Sequence, residues 1–401
     1  MTFSVVIPTH NRAELLQHAI TTVIRQEHDD FEVIIFDNAS DKAVKECVDL
    51  IGSERIKYYR SDKFLPVTDS WNKALSYAAG DYIVFLGDDD GLAPDYFSKV
   101  GKIITMFSSP EVIYSSIYQF FHPGVAPWEP DGYVAEIKNG FFFRNNKEPF
   151  ILPGKDIHKA INGSVSFCRN FTFNIQAFTI HRNFIGKLAS DGPVFRSPFP
   201  DYYFANVALA KAASIVVVPY PMSVAGVSKS SFGYTLFNDN ELKGDELLNT
   251  DITQDEYYED VKDKIIKGPS YNTKYLITMR HVEQLLSGFV TQKLNYKKYR
   301  RLQVYNILKV RLGYKYIIGG EVKTLWVSLS LREKIFLIYI SIILFLYKYS
   351  FSHLKKVIDY YIKRIILPYE FYPETKILEK GKFSNVVELY DWLIEVENKR
   401  K

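Results

Sequence analysis

The feature that most constrains this chain is the alternation of short apolar runs with helical segments over residues 1–100. Runs rich in β-branched residues, typical of strands buried on both faces of a parallel sheet, occur at Phe3–Ile7, Glu32–Phe36, Ile56–Tyr59 and Tyr82–Leu86. Apolar residues at helical spacing separate these runs, first between Leu16 and Ile24 and later between Trp71 and Ala78. This βαβαβ order predicts an open α/β sheet that binds ligands beyond the carboxyl ends of its strands.

Local signals predict where the first helices begin and end. Asn11 stands where an N-cap is expected, with Glu14 three residues later in a capping-box-like relation. Gly80 is well placed to end the third helix. Residues 8–12 are therefore predicted to form a strand-to-helix turn.

The sequence pattern changes twice along the chain. Residues 101–236 mix strand and helix signals, and beyond about residue 237 long helical stretches rich in Lys, Tyr and Ile follow. We therefore predict an α/β domain over residues 1–236, with halves at 1–100 and 101–236, and a helical C-terminal domain over residues 237–401. The expected fold class is α/β, with a mixed central sheet, flanking helices and a mainly helical extension.

Charge and cysteine content exclude several classes of protein. The formal net charge is only +4 in 401 residues and no base-stacking motif occurs, which argues against a nucleic-acid binder. Cys47 and Cys168 match neither a zinc spacing nor a disulfide framework. The N-terminus has no basic and apolar leader, so the expected location is the cytoplasm.

Three polar clusters follow the predicted strands. Residues 8–12 (PTHNR) follow the first strand, residues 37–40 (DNAS) the second and residues 88–90 (DDD) the fourth. Each alone is compatible with an ordinary turn, because Asn, Asp and Ser favour turns and helix caps. Together they fall at carboxyl ends of strands in one predicted sheet, where a ligand crevice is expected, and this favours a functional site.

The acidic triplet raises a question of its own. Three consecutive carboxylates repel one another and are costly near a core unless they face water or surround a cation. No His or Cys ligand set accompanies Asp88, Asp89 and Asp90, which argues against zinc.

The chain resembles family 2 glycosyltransferases in four segments, VVIPTHNR, VIIFDNAS, SWNKALSYAAGDYIVFLGDDD and PFPDYYF. These are nucleotide-sugar enzymes with the GT-A (Rossmann-like) fold, and the resemblance covers roughly residues 1–230. It implies a nucleotide-binding half at residues 1–100 and an acceptor half at 101–236. The implied reaction is inverting transfer of a sugar from a nucleoside-diphosphate sugar, with UDP the common case, to a hydroxyl of a glycan or lipid-linked glycan in surface polysaccharide assembly.

The resemblance also implies roles for the matching positions. A segment such as Pro8-Thr9 lines the nucleotide pocket, and an aspartate placed like Asp37 hydrogen-bonds the base. The nucleotide-binding residues implied in this way are Pro8, Thr9, Asn11, Arg12, Asp37, Asn38, Asp88 and Asp89.

The acidic triplet resembles the aspartate-rich (DXD-type) metal motif of the family. By that likeness Asp90 would hold Mn²⁺ or Mg²⁺ on the diphosphate, where a hard cation offsets the charge of the leaving group. Many members begin the motif with an aspartate where this chain has Gly87. Asp89 is therefore the alternative, sharing the metal or replacing Asp90.

Asp201, in PFPDYYF, is the expected catalytic base. An inverting transfer needs a base for the acceptor hydroxyl, and the family places an aspartate just before such a helix. The structural alternative is a first-turn acid stabilised by the helix dipole. Asp191 is the second candidate for the base. The segment GVSKSSFG, residues 226–233, is either a linker or a nucleotide-ordered loop with Lys229 near a phosphate.

The C-terminal region contains an apolar run, Ile335–Tyr347, between Lys334 and Lys348. It is shorter than the ~20 residues of a membrane-spanning helix, so a core or oligomer-contact helix is expected first and an interfacial helix second. Basic amphipathic segments that follow are compatible with a solvated face or with peripheral contact at the inner membrane surface.

Two other functions fit parts of the pattern. A nucleotidyltransferase would also use an acidic metal site on an α/β nucleotide fold. A non-catalytic glycan-binding or scaffold protein with a transferase-like fold is the alternative outside the enzymes, and the intact acidic cluster together with Asp201 argues against it.

Overall fold

The computed structural model describes residues 1–138, 141–143, 146–238, 241–268, 270–313, 319–362 and 374–399. The chain forms two compact units. The first comprises Met1–Ile157, Phe171–Thr250 and Pro373–Lys401, and the second comprises His158–Asn170 and Asp251–Tyr372. The division at Thr250 lies beyond the predicted boundary at residue 236, because the helices Phe232–Phe237 and Glu241–Leu248 contact each other and the first of them contacts the strand Ile215–Val227 of the sheet.

The described residues form eleven strands in one sheet. Their bounds are β1 Phe3–Thr9, β2 Phe31–Asp37, β3 Ile56–Arg60, β4 Tyr82–Phe85, β5 Gly91–Leu92, β6 Val112–Phe121, β7 Tyr133–Lys138, β8 Phe150–Ile151, β9 Phe178–His181, β10 Ile215–Val227 and β11 Glu374–Lys380.

The helices of the described residues flank this sheet or build the second unit. Their bounds are α1 Ala13–Ile24, α2 Lys42–Ile51, α3 Val67–Leu75, α4 Tyr96–Met106, α5 Gly154–Val165, α6 Arg182–Ala189, α7 Pro200–Lys211, α8 Phe232–Phe237, α9 Glu241–Leu248, α10 Tyr258–Val261, α11 Ser270–Leu285, α12 Tyr296–Gly313, α13 Gly319–Ser328, α14 Leu331–Tyr349, α15 Ser352–Tyr361 and α16 Val386–Asn398.

The sheet is mixed, in the order β11-β7-β6-β9-β4-β1-β2-β3, with β10 branching from β6. The four strands β3, β2, β1 and β4 are parallel, and β9 and β7 are antiparallel to their neighbours. Branched and aromatic side chains of β1, β2 and β4 are buried against α1 and α4, as the near-continuous apolar runs predict. The predicted α/β fold class, a mixed central sheet with flanking helices and a mainly helical extension, is confirmed.

The start of α1 differs from the sequence prediction. The N-cap is Arg12, without a side-chain cap, and Asn11 has a left-handed backbone with φ of 55°. The side-chain oxygen of Asn11 instead accepts a hydrogen bond from the backbone amide of Asp41. The backbone amide of Asn11 donates to Ser40 Oγ. Asn tolerates this conformation better than most residues, and here it joins the β1–α1 turn to the segment after β2.

The chain returns to the first unit at its C-terminal end. Strand β11 pairs antiparallel with β7, and α16 packs on residues of β6, β7 and β10. Two ion pairs connect α16 to neighbouring helices. Arg25, which caps the end of α1, lies 2.5 Å from Asp391, and Lys99 of α4 lies 2.7 Å from Glu397. The helical region is therefore followed by a strand and a helix that belong to the sheet.

The second unit is helical in its described residues. Its interior includes Leu276, Met279 and Val282 of α11 and Tyr299 of α12. In α14 a narrow stripe that includes Leu337 and Ile340 is buried, whereas much of the predicted apolar run is exposed. None of the described helices is long and apolar enough to cross a membrane.

Candidate active site

The predicted polar clusters meet at the carboxyl edge of the parallel strands. Thr9, the last residue of β1, lies opposite Asp37, the last residue of β2. The triplet at 88–90 follows the neighbouring strand β4, and Thr9 Oγ1 donates a hydrogen bond to Asp88 Oδ2 at 2.7 Å. The structure thus brings together residues that the strand-end argument grouped.

Asp88 forms an ion pair with Arg12. Arg12 Nη1 lies 2.8 Å from Asp88 Oδ1, and Arg12 Nη2 also donates to the carbonyl of Ser230. The pKa of Asp88 is raised, mainly by burial and further by the charge of Asp89. The charge of Arg12 lowers this pKa but does not outweigh the other two effects. Burial alone would lower the pKa of Arg12, but the nearby aspartates outweigh it, so Arg12 stays charged.

Asp90 is held on both oxygens by the protein. Its Oδ1 accepts from the Gly226 amide at 2.9 Å, and its Oδ2 accepts from the Gly87 amide and from Gln176 Nε2. Burial and the neighbouring charge of Asp89 raise the pKa of Asp90 to about 7. The triplet therefore carries unfavourable charge that one arginine does not compensate.

Asp89 is bound more loosely than its neighbours. The Ser228 amide donates to Asp89 Oδ2 at 3.2 Å, and Oδ1 receives no hydrogen bond from any residue that the structure describes. A methyl group on Gly87 would lie 3.3 Å from Asp89 Oδ1 and 2.8 Å from Asp90 Oδ2, so both oxygens pack close to this glycine and a larger residue would crowd them.

This arrangement fits a cation that shares its ligands with a substrate. Across the described part of the chain, no group of three His, Cys, Asp or Glu side chains could hold a metal by itself. Mg²⁺ in phosphate-transfer sites is typically bound through one or two carboxylates and the phosphates of the substrate. Asp89 offers the open oxygen for such a cation, whereas Asp90, to which the resemblance assigned the metal, has both oxygens engaged.

Asp37 is the centre of a second buried carboxylate site. The Ser40 amide donates to Asp37 Oδ1 at 2.7 Å, and Arg60 Nη1 and the Tyr58 hydroxyl donate to Oδ2, the arginine at 2.6 Å. Burial and the bond to Asp37 raise the pKa of Tyr58 to about 12, so this hydroxyl remains a donor. Arg60 is the most exposed side chain of the set.

Asn38 fixes the loop beside this site. Its side chain exchanges two hydrogen bonds with the main chain of Leu65, at 2.9 and 3.0 Å. Its carbonyl binds the His10 ring at 2.7 Å, and that ring stacks on Phe64 at 4.2 Å between centroids. Asn38 therefore positions the main chain of Leu65 and the ring of His10 beside this site.

Asp201 lies in the first turn of α7, as predicted, where its Oδ1 accepts from the Tyr202 amide at 3.0 Å. Two aromatic contacts place this turn beside segments that bind the triplet. Phe199 contacts Phe232, next to the turn that carries Ser228, and Tyr202 contacts Phe173, close to Gln176. The start of α7 therefore contacts two segments that lie close in sequence to ligands of the acidic cluster.

Asp191 occupies a different place. It is half-exposed and ion-paired with Lys211 in the last turn of α7, and this hydrogen bond lowers the pKa of Asp191. Ten residues of helix, about 15 Å at 1.5 Å per residue, separate Lys211 from Asp201. The two candidate bases thus lie at opposite ends of α7.

The sequence analysis did not name Gln176, and it named the segment of Gly226 and Ser228 without assigning these residues to the acidic triplet. Gln176 reaches Asp90 from a 3₁₀ turn at Ile175–Ala177, and Gly226 and Ser228 donate from the end of β10. A methyl group on Gly226 would lie 1.8 Å from the Asp89 carbonyl oxygen, so only glycine fits there. The small, polar composition of GVSKSSFG was the sequence signal for Gly226 and Ser228. Lys229, in the same segment, is exposed.

Comparison with known proteins gives partial matches. Residues 4–167 match the sequence model described as glycosyl transferase family 2. The chain is 35% identical over 92 residues to the GalNAc(5)-diNAcBac-PP-undecaprenol beta-1,3-glucosyltransferase of Campylobacter jejuni, covering 22% of this chain and 30% of that protein. It is 29% identical over 119 residues to a PGL/p-HBAD biosynthesis glycosyltransferase of Mycobacterium bovis, covering 29% and 46%.

A solved structure is similar over a longer stretch at lower identity. Staphylococcus aureus TarS 1-349 in complex with UDP-GlcNAc has a TM-score of 0.45 and 14% identity, covering 79% of this chain and 93% of that one. The chain spans less than half the length of the two curated relatives above. The matched segment carries β1, β2, β4 and the acidic triplet. Residues 4–167 of this chain are therefore similar to glycosyl transferase family 2.

Proposed function

We propose that this protein is a metal-dependent, inverting glycosyltransferase that moves a sugar from a nucleoside-diphosphate sugar, with UDP the expected nucleotide, to a hydroxyl of a glycan. The observation that carries the proposal is the buried acidic triplet at the carboxyl edge of the parallel strands, inside the segment that matches the family. Buried charge that is only partly compensated is typical of functional sites, because it costs stability in the absence of a ligand.

The donor nucleotide would lie across the ends of β1, β2 and β4. Thr9 and Asp88 would face the ribose, and Asp37 would accept a hydrogen bond from the base. Because Arg60 and Tyr58 both donate hydrogen bonds to Asp37, the base would displace or share the more exposed partner, Arg60.

Asp89, supported by Asp90, would hold Mn²⁺ or Mg²⁺ against the diphosphate. When bound, the cation would offset the negative charge that gathers on the departing diphosphate. Arg12 would add a second positive charge beside it, held in place by Asp88. The hydrogen bonds from Gly226, Gly87 and Gln176 fix the carboxylate of Asp90, so that the pocket keeps its shape when empty.

Asp201 would accept the proton of the acceptor hydroxyl as that oxygen attacks the anomeric carbon. A carboxylate suits this role because it can accept a proton, and Asp201 is half-buried in the first turn of α7. Asp191 is assigned no role in the reaction, because its carboxylate is committed to Lys211.

The acceptor is assigned from the relatives. One relative is named for a substrate linked through PP to undecaprenol, and the other for PGL/p-HBAD biosynthesis. A glycan or lipid-linked glycan in surface polysaccharide assembly is the corresponding acceptor for this chain.

Product analysis tests the proposal. The full chain is incubated with a glycan acceptor and with UDP-, GDP- and dTDP-sugars or the nucleoside triphosphates, with and without Mn²⁺. Glycan binding, release of nucleoside diphosphate or pyrophosphate, and the melting temperature are measured. We expect one nucleotide to raise the melting temperature only in the presence of metal, by mass action, and to be released as the diphosphate. Release of pyrophosphate from a nucleoside triphosphate would instead identify a nucleotidyltransferase. Glycan binding without turnover would identify a scaffold protein.

A further inference from the structure

The second unit exposes an apolar surface that the proposed reaction does not use. Six side chains of α14 recur at alternating spacings of four and three along its exposed side: Leu331, Ile335, Ile338, Ile342, Phe345 and Tyr349. Soluble monomers rarely expose contiguous apolar patches of this kind, and such patches typically mark an interaction site.

The surface continues from α14 onto α15. The hydroxyl groups of Tyr339 and Tyr361 lie 2.9 Å apart, so the two helices are neighbours. The N-cap of α15, Phe351, and the α15 residues Leu354 and Val357 are exposed and recur every three residues. The exposed apolar surface is therefore wider than the seam of a two-helix coiled coil.

The charges around this surface are mostly positive. Between Leu331 and Tyr361 the sequence has five basic residues, Arg332, Lys334, Lys348, Lys355 and Lys356, and two acidic ones, Glu333 and Asp359. Glu333 is already paired with Arg300. A second copy of this chain would bring these positive charges against one another, because a two-fold interface presents the same patch on both sides.

The distribution along α14 fits a lipid surface better. The uncharged stretch from Ile335 to Tyr347 is 13 residues, about 20 Å of helix, with a lysine at each end. Tyr347 at the C-terminal end of this stretch and Tyr349 just beyond it are exposed, and each carries a hydroxyl on an apolar ring, as is common at the headgroup level of membranes. We propose that the exposed face of α14 and α15 binds the surface of a bilayer that contains anionic lipids, with the helices lying in the plane of the interface.

Vesicle sedimentation of the full chain tests this assignment, which does not depend on the proposed reaction. Vesicles of phosphatidylcholine are compared with vesicles that also contain phosphatidylglycerol. We expect clear binding to the anionic vesicles, roughly tenfold weaker binding to the neutral ones, and weakening by salt.

Two double variants locate the surface. Ile338→Asp/Ile342→Asp changes side chains that are 50% and 56% exposed, so folding should be kept while vesicle binding falls at least about tenfold. Lys355→Glu/Lys356→Glu should lower binding to anionic vesicles by roughly tenfold and leave binding to neutral ones unchanged.

Matched controls lie in the first unit. Leu50→Asp/Met106→Asp changes two side chains that are 88% and 68% exposed, and Lys42→Glu/Lys102→Glu makes the same change in net charge. Neither should alter binding by more than about twofold, and melting temperatures verify folding of all four variants.

Three results would overturn the proposal. These are absence of binding to both kinds of vesicle, binding that the Ile338 and Ile342 substitutions leave intact, and light scattering that shows a dimer abolished by those same substitutions. The last result would assign the face to a second copy of the chain.

Discussion

The two units bury carboxylates in opposite ways. In the second unit, Glu333 receives two hydrogen bonds from Arg300, at 2.5 and 3.1 Å, and caps the start of α14 together with Ser330. Burial works to raise the pKa of Glu333, but Arg300 and Ser330 lower it to about 2. In the first unit, burial and Asp89 raise the pKa of Asp90 to about 7.

The difference follows from the ratio of charges. At Glu333 one guanidinium pairs with one carboxylate, so the two charges neutralise each other and the ion pair stabilises the helical unit. At the carboxyl edge of the sheet, Arg12 faces three carboxylates and pairs with only one of them. The remaining negative charge is available to a ligand, which is why we assign the reaction to the first site and a structural role to the second.

The largest expected effect is on turnover. Replacing the proposed base, Asp201→Asn, should lower the transfer rate by roughly 10³-fold because the acceptor proton then has no recipient. Initial rates of nucleoside diphosphate release measure this. The matched control Asp191→Asn, at the other end of the same helix, should leave the rate unchanged. Equal loss in both variants, or in neither, would remove Asp201 from the proposed reaction.

The acidic triplet should be needed for activity without being needed for the fold. Asp89→Asn should reduce turnover by roughly 10²-fold, because the cation loses its open ligand, while the melting temperature without ligand stays the same or rises as repulsion is relieved. Calorimetry with UDP and Mn²⁺ should show the loss of metal-dependent binding. A fall in melting temperature with unchanged turnover would make this site resemble Glu333.

The backbone of Gly226 lies so close to that of Asp89 that a single added methyl group should destabilise the fold. Gly226→Ala should lower the free energy of unfolding by about 3 kcal/mol, because the new atom meets the Asp89 carbonyl and neighbouring chain must move. Urea denaturation measures it. Gly186→Ala in α6 is the matched control, since a methyl group there meets nothing within 4 Å, and it should be neutral or slightly stabilising. Equal stability of the two variants would contradict the close approach of β10 to the triplet.

The Glu333 pair should show the reverse pattern. Glu333→Gln should cost about 2 kcal/mol of stability at neutral pH, because it removes one partner of a mostly buried pair. Since the folded-state pKa is lowered to about 2 from an ordinary 4.5, this contribution is present above pH 4.5 and is lost as the pH falls toward 2. Urea denaturation of both proteins across this range should show the difference closing. A gap independent of pH would mean that packing, not charge, provides the stabilisation.

Much of the site could be predicted from the sequence because several of its residues directly follow apolar runs that are recognisable as strands. Parallel strands end at one edge, so Thr9, Asp37 and Asp88 could be grouped from the positions of apolar runs alone. Gln176 and Gly226 could not, because they reach the triplet from segments far along the chain whose pairing has no local signature. The exposure of α14 was also beyond the sequence, since a run that is apolar on all sides does not show which side is covered.

The final strand has a practical consequence. Because β11 hydrogen-bonds to β7 after the chain has passed through residues 251–372, this long segment of the helical unit is an insertion between two parts of the unit that contains the sheet. Cutting the gene at residue 250 would remove β11, one of the two strands that pair with β7, and would leave an unpaired edge that favours aggregation. A minimal fragment should instead join residue 250 to residue 374 through a short flexible linker, which keeps β11 beside β7 and removes the helical unit except for residues 158–170.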